Sequence, residues 1–311
     1  MGSGTSGTKS MRSPILVDGS DLDGWARRRD AQQVLPQLVR RLLHGSVDRD
    51  RIVRASFPAG EGIQRRGWDG IAIVEKGNAF VPDGTSGWEL SATEDVRRKS
   101  DEDYQKRTDN PGELDPATST FVFVTPRRWG GNDAWAAARR AEGRWRELRA
   151  YDADDLEQWL ELAPPVHLWF SRLLGKRPAG VVDLETWWND WSGTTTPPTS
   201  PGVVLAGRAE VAAGVRAWLR GAEPTLALEA ESREEALAVF AAALGRLPAE
   251  EQVGYVSRAA VVHERDAWNE LVASKEPLLL VRSFEGARSG RASAPLRSPG
   301  RRSARADGRL H

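Results

Sequence analysis

Two short apolar runs, GWDGIAIV at 67–74 and SGWELSA at 86–92, constrain this chain more than any other feature. The loop between them carries Gly77, Pro82 and Gly84, so the runs read as neighbouring strands joined by turn chemistry. Each run opens with a Trp followed by an acid: Trp68 with Asp69, and Trp88 with Glu89. Side chains alternate along a strand, which sends each Trp to one face and its carboxylate to the other. The expectation is a hairpin anchored by two tryptophans whose opposite face presents paired acids.

Taken singly, Asp69 also reads as a turn residue before Gly70 and Glu89 as a solvated strand position. Matched acids beside bulky apolar residues are less ordinary, because a buried carboxylate needs a partner. A hard divalent ion such as Mg²⁺ is one such partner and takes oxygen ligands while keeping waters. It polarises a phosphate oxygen and generates a hydroxide nucleophile near neutral pH, which is chemistry for cutting a phosphodiester.

At these residues the chain resembles the PD-(D/E)xK nuclease superfamily, whose core hairpin carries an Asp on one strand and a Glu-x-Lys on the next. The resemblance implies a restriction-endonuclease-like fold, an α/β architecture with a mixed central sheet flanked by helices. It assigns Asp69 and Glu89 to the metal (Mg or Mn), and Glu61, in the GEG triplet upstream, to the extra acid of many members. The departure is Ser91, which stands where the pattern has lysine and supplies no positive charge. The following segment, EDVRRKSDEDYQKRT, reads as a helix with Lys99, Asp103 and Lys106 on one face. Lys99 is therefore the first candidate for the missing cation and Lys106 the second, with a solvated charged face as the alternative. GWDG, VPDGTSGWE and DYQKRT also resemble the nuclease-type N-terminal domain of bacterial antiviral proteins that continue into a STAND-type NTPase. That likeness implies a DNA-cutting effector, with double-stranded DNA as partner and a possible homo-oligomer. The competing reading, kept open by Ser91, is a catalytically inactive nuclease fold serving as a binding or sensor module.

The rest of the chain sets the frame. A flexible lead is expected over 1–12, the nuclease-like domain over 13–178 and a Trp- and Pro/Thr-rich linker over 179–202. Within 13–178, DAQQVLPQLVRRLLHGS reads as an amphipathic helix ended by Gly45, with Arg40 and Arg41 solvated. TFVFVTP suits a strand covered on both faces, and YDADDLEQW reads as helix capping in preference to metal binding. His167 reads as packed, and the tryptophans as core.

Beyond the linker, 203–286 alternates helices and strands as a parallel α/β sheet does, resembling the opening of a STAND or AAA-type NTPase. Where a Gly-rich phosphate loop belongs the chain has EAESREEA, without glycine and with acids where phosphate would sit, so no ATP binding is expected. The unit reads as an incomplete P-loop-like domain without a Walker A motif. From 287 to 311 seven arginines face one aspartate with few apolar residues, which reads as a disordered basic tail or as the product of truncation or a frame change.

Composition excludes several classes. The absence of cysteine removes disulfides, thiol catalysis and thiolate zinc sites and reads as a cytoplasmic chain. No apolar run approaches the roughly 20 residues that span a bilayer, so no membrane partner is expected. The formal net charge is zero, so any nucleic-acid binding rests on local charge.

Overall fold

The computed structural model describes residues 16–58, 67–273 and 278–283, together with the backbone of 296–297. The lead at 1–12 and Glu61 lie outside the described residues. The first half of the chain builds α1 (Gly19–Trp25), α2 (Ala31–Ser46), β1 (Ile52–Ser56), β2 (Gly70–Val74), β3 (Gly84–Leu90) and α3 (Val96–Asp109). It continues with β4 (Thr120–Val124), α4 (Asn132–Ala141), β5 (Glu147–Tyr151), α5 (Ala153–Glu161) and α6 (Pro164–Leu173).

These strands form one mixed sheet in chain order, β1-β2-β3-β4-β5. The two opening runs pair antiparallel, with Gly70 opposite Trp88, while β3–β4 and β4–β5 are parallel. Parallel neighbours need a crossover, and α3 supplies it between β3 and β4. TFVFV is buried at every position of β4, as its unbroken apolar run requires when helices cover both faces. On one face α2, α5 and α6 pack over Trp88, Leu90, Val122 and Val124. On the other, α3 and α4 cover Trp68, Phe121, Phe123 and Leu148.

The two tryptophans therefore lie on opposite faces, against the expectation that they share one. Trp88 packs edge-on to Phe57, and Trp68 packs edge-on to Phe121 and Trp145. Trp68 precedes β2 and is free of its alternation. It folds over Gly87, where an added Cβ would come within 2.8 Å of the indole.

Local chemistry elsewhere in this half follows the sequence with a few corrections. Gly45 lies inside α2, which runs on to Ser46. Arg41 is buried and pairs with Glu185 at 2.5 Å, so it is not a solvated residue. The acids of YDADDLEQW do cap a helix, since Asp152 accepts from the backbone of Asp154 and Asp155 in a capping box. His167 is buried with its Nε2 2.9 Å from the Val17 carbonyl.

The second half contains β6 (Val181–Asp183), α7 (Leu184–Ser192), α8 (Pro201–Val204), α9 (Ala209–Arg220), β7 (Thr225–Leu226) and α10 (Arg233–Leu244). It ends with α11 (Ala249–Val256), β8 (Ala259–Val262), α12 (Arg265–Ala273), β9 (Leu279–Arg282) and β10 (Leu296–Arg297). Its sheet runs β6-β8-β9-β10-β7, and only β8–β9 is parallel, so the expected all-parallel arrangement does not form. Residues 181–192, expected as linker, are an edge strand and a helix whose Leu184, Trp187 and Trp188 pack into the second core. Asp183 caps that helix by accepting from Thr186 N–H at 2.9 Å. Of the expected tail, Leu296–Arg297 pair with β9 and β7, and the remainder lies outside the described residues.

The halves meet along α2 and α11. Buried Arg258 donates to the carbonyls of His44 (2.8 Å) and Val47, taking up acceptors left open at the end of α2. Among the described residues no helix is long and apolar enough to cross a membrane.

Candidate functional site

The site is built where β2 begins and β3 ends, beneath α3. The β2–β3 register, carried one residue past the Gly70–Trp88 pair, sets Asp69 beside Glu89. Asp69 fastens the junction by accepting the Leu90 N–H at 2.9 Å. Glu89 points away from Trp88 toward α3, where Arg107 donates to its Oε1. The same guanidinium donates to the Gly67 carbonyl and lies 4.8 Å over the Trp68 ring, so Trp68 and Glu89 share one face of the sheet.

Helix α3 adds a second pair. Lys99 Nζ lies 2.6 Å from Asp103 Oδ1, and the other oxygen of Asp103 is buried without a hydrogen-bond partner among the described residues. Asp103 and Glu89 are only 2% and 3% exposed. Three carboxylates thus gather in a poorly hydrated space with one arginine and one lysine to balance them.

Burial, with that imbalance added to it, sets the titration. Burial pushes Glu89 up to about 8; the Asp69 charge adds to the rise, Arg107 opposes it and Asp103 adds again. Asp69 is raised as well, first by burial and then by Asp103, against the lowering effect of the Leu90 amide and of a hydrogen bond with Glu89. Both groups hold protons more tightly than free carboxylates do. A bound cation is the alternative way to neutralise them.

The candidate residues are placed as follows. Asp69, Glu89 and Lys99 are brought together, with Lys99 reaching the cluster through Asp103. Lys106 is exposed. Ser91 is buried on β3's exit, its Oγ 2.9 Å from Thr93 Oγ1, and supplies no charge. Three participants escaped the sequence reading. Arg107 continues the i, i+4, i+8 spacing from Lys99 through Asp103, and that spacing is the local signal for it. Asp103 was noted for its face alone. Gln32, at the start of α2, grips the backbone on both sides of Ser91: its Nε2 donates to Leu90 O at 2.9 Å and its Oε1 accepts from Ala92 N at 2.8 Å. No local pattern marks such a long-range brace.

Asp69 and Glu89 supply hard oxygen donors suited to Mg²⁺ or Mn²⁺, ions that keep part of their water shell and manage with two carboxylates. Among the described residues no group of three or more His, Cys, Asp or Glu is arranged to hold a metal. Comparison with family models, curated proteins and solved structures found no match to this chain.

Proposed function

We propose that the chain is a metal-dependent endonuclease of the PD-(D/E)xK type, hydrolysing phosphodiester bonds of DNA, with Asp69 and Glu89 as the metal-holding pair. The observation that carries this reading is the pair itself: a buried Glu89 and a half-buried Asp69, both raised in pKa, side by side at a strand junction with too little positive charge around them. The sheet order and its mix of antiparallel and parallel pairs suit a restriction-endonuclease-like fold. A bound Mg²⁺ or Mn²⁺ supplies Lewis-acid polarisation of the phosphate and acidifies water.

The chain's own residues do the rest. Lys99, held by Asp103, places a positive charge at the edge of the acid cluster, where it stabilises negative charge developing on the phosphate. Arg107 orients Glu89 and offsets its charge until a cation arrives. Glu61, upstream of Trp68 in the sequence, belongs to this proposal as a further acid. In keeping with the resemblance, the chain serves as the effector part of an antiviral protein, acting in the cytoplasm on double-stranded DNA, as a homo-oligomer where both strands are cut.

The test is incubation of purified chain with supercoiled plasmid, with Mg²⁺, with Mn²⁺ and with chelator. Cleavage is expected only with the metals, and Asp69→Asn or Glu89→Gln abolishes it. Lys99→Ala lowers the rate by about 10² to 10³, the range for one preorganised electrostatic donor. A second reading, the inactive binding or sensor module, is favoured by one observation: buried Ser91 puts a neutral hydroxyl where a lysine is expected. Silence of the wild type on every nucleic acid, with activity gained in Ser91→Lys, would establish that module and overturn the nuclease.

A further inference from the structure

A separate cavity of about 410 Å³ lies between the end of α6, β6 and the outer face of α7. This is the size of a small-ligand pocket. Its walls divide by chemistry. One wall is aromatic: Trp187 and Trp191, one turn apart on α7, stack with ring centroids 5.8 Å apart and an interplanar angle of 12°. The lining also carries Arg172, Lys176 and Arg177 within six residues of chain. Arg172 is matched by Asp190 at 2.7 Å and Lys176 by Asp21. Arg177 is exposed and has no partner among the described residues.

Asp183 lines the cavity as well. It is 2% exposed, and its Oδ1 is used by the Thr186 amide, while its Oδ2 is buried without a partner among the described residues. An uncompensated carboxylate oxygen in such a place is costly, and a ligand N–H or O–H relieves the cost. The three sets of lining residues together ask for one kind of molecule: a planar ring to lie against indole, a hydrogen-bond donor on or near that ring, and an anionic group beyond it.

We propose that this cavity binds a nucleoside monophosphate, with the base against Trp187 and Trp191, an amino or hydroxyl donor on Asp183, and the phosphate on Arg177 and its cationic neighbours. Base stacking on an aromatic side chain tolerates any base, and guanidinium matches phosphate geometry. The site is distinct from the acid cluster under α3 and does not depend on its activity. It also differs from a triphosphate loop, since no glycine-rich backbone cradle takes part.

The experiment is titration of the full chain with AMP, GMP, CMP and UMP, followed by tryptophan fluorescence and calorimetry, with adenosine and inorganic phosphate as the partial ligands. At least one monophosphate saturates the signal at submillimolar concentration, and adenosine or phosphate alone binds at least about tenfold more weakly, as loss of a charge-assisted hydrogen bond implies. Arg177→Ala, at an exposed position, weakens the monophosphate by about tenfold and leaves adenosine unchanged. Asp183→Asn keeps an oxygen to cap α7 but places an amide where the free acceptor stood, and weakens both. Absence of saturable binding by all four nucleotides overturns the proposal. So does binding that is indifferent to both substitutions while circular dichroism shows the fold retained.

Discussion

Two clusters of charge, one at the end of α2 and one beneath α3 on the other face of the sheet, are solved in opposite ways. At the end of α2, positive groups find fixed partners: Arg258 takes two backbone carbonyls, Arg41 pairs with Glu185 and stacks 4.3 Å over Trp169, and Arg49 pairs with Glu251 at 3.1 Å while lying over Tyr255. Two groups are exceptions: Arg40, whose Nε is buried without a hydrogen-bond partner among the described residues, and His44. Burial, helped by Arg40, Arg258 and Arg49, pushes the His44 pKa down to about 3, so it stays neutral among them. Beneath α3, by contrast, burial raises the pKa of both Glu89 and Asp69, the Asp69 and Asp103 charges raise Glu89 further, and Asp103 adds to the rise of Asp69. A cluster whose charges are spent on backbone and aromatic partners joins two parts of a fold. One left short of counter-charge is poised for something that arrives from outside.

The largest effect should come from the joining cluster. Arg258→Ala strands two carbonyls at the end of α2 and is expected to cost about 3 kcal/mol in urea unfolding, the sum of two unsatisfied buried groups. A loss below about 1 kcal/mol would mean that water replaces the guanidinium freely and that the contrast between the clusters is overdrawn.

The acid cluster should behave in the other direction. Glu89→Gln removes a charge that the fold disfavours and is expected to raise stability at pH 9 by about 1 kcal/mol and, under the proposed function, to end cleavage. The pH dependence sharpens the comparison. Folded Glu89 keeps its proton up to about 8 against an ordinary 4.5, so it binds more protons folded than unfolded between those values and stability falls as pH rises through them. Folded His44 stays neutral down to about 3 against an ordinary 6.5, so the unfolded chain binds the extra proton and stability falls as pH drops through that window. Unfolding free energies measured from pH 4 to pH 9 should therefore lose their alkaline decline in Glu89→Gln and keep their acid decline. The smallest effect belongs to the brace: Gln32→Ala loses two hydrogen bonds around Ser91 and should cost about 1–2 kcal/mol in the same urea measurement.

How far these clusters were legible follows from the range of the interactions. The hairpin, its acids and the crossover helix are written in local pattern: turn residues between two apolar runs, and helical spacing in the segment after them. Trp68 was misplaced because it precedes the strand and is positioned by bare Gly87 opposite, a contact that alternation does not encode. The linker was drawn too widely because Pro and Thr at 194–201 dominate its composition. Asp183 before LETWWNDW was nonetheless a helix cap followed by an apolar stripe. The second sheet escaped because its antiparallel pairs join strands far apart in the chain, such as β6 with β8 and β10 with β7. The joining cluster was invisible for the same reason, since Arg258 and the carbonyl of His44 are separated by 214 residues.

The central claim, that the carboxylates of Asp69 and Glu89 await a divalent ion, is tested most directly by thermal unfolding with and without Mn²⁺. An ion that binds only the folded state raises the transition temperature in proportion to the logarithm of its concentration once the site fills. The wild type should show that rise at neutral pH, and Asp69→Asn and Glu89→Gln, each folded, should show none. A rise of equal size in all three proteins, or none in the wild type, would contradict the account.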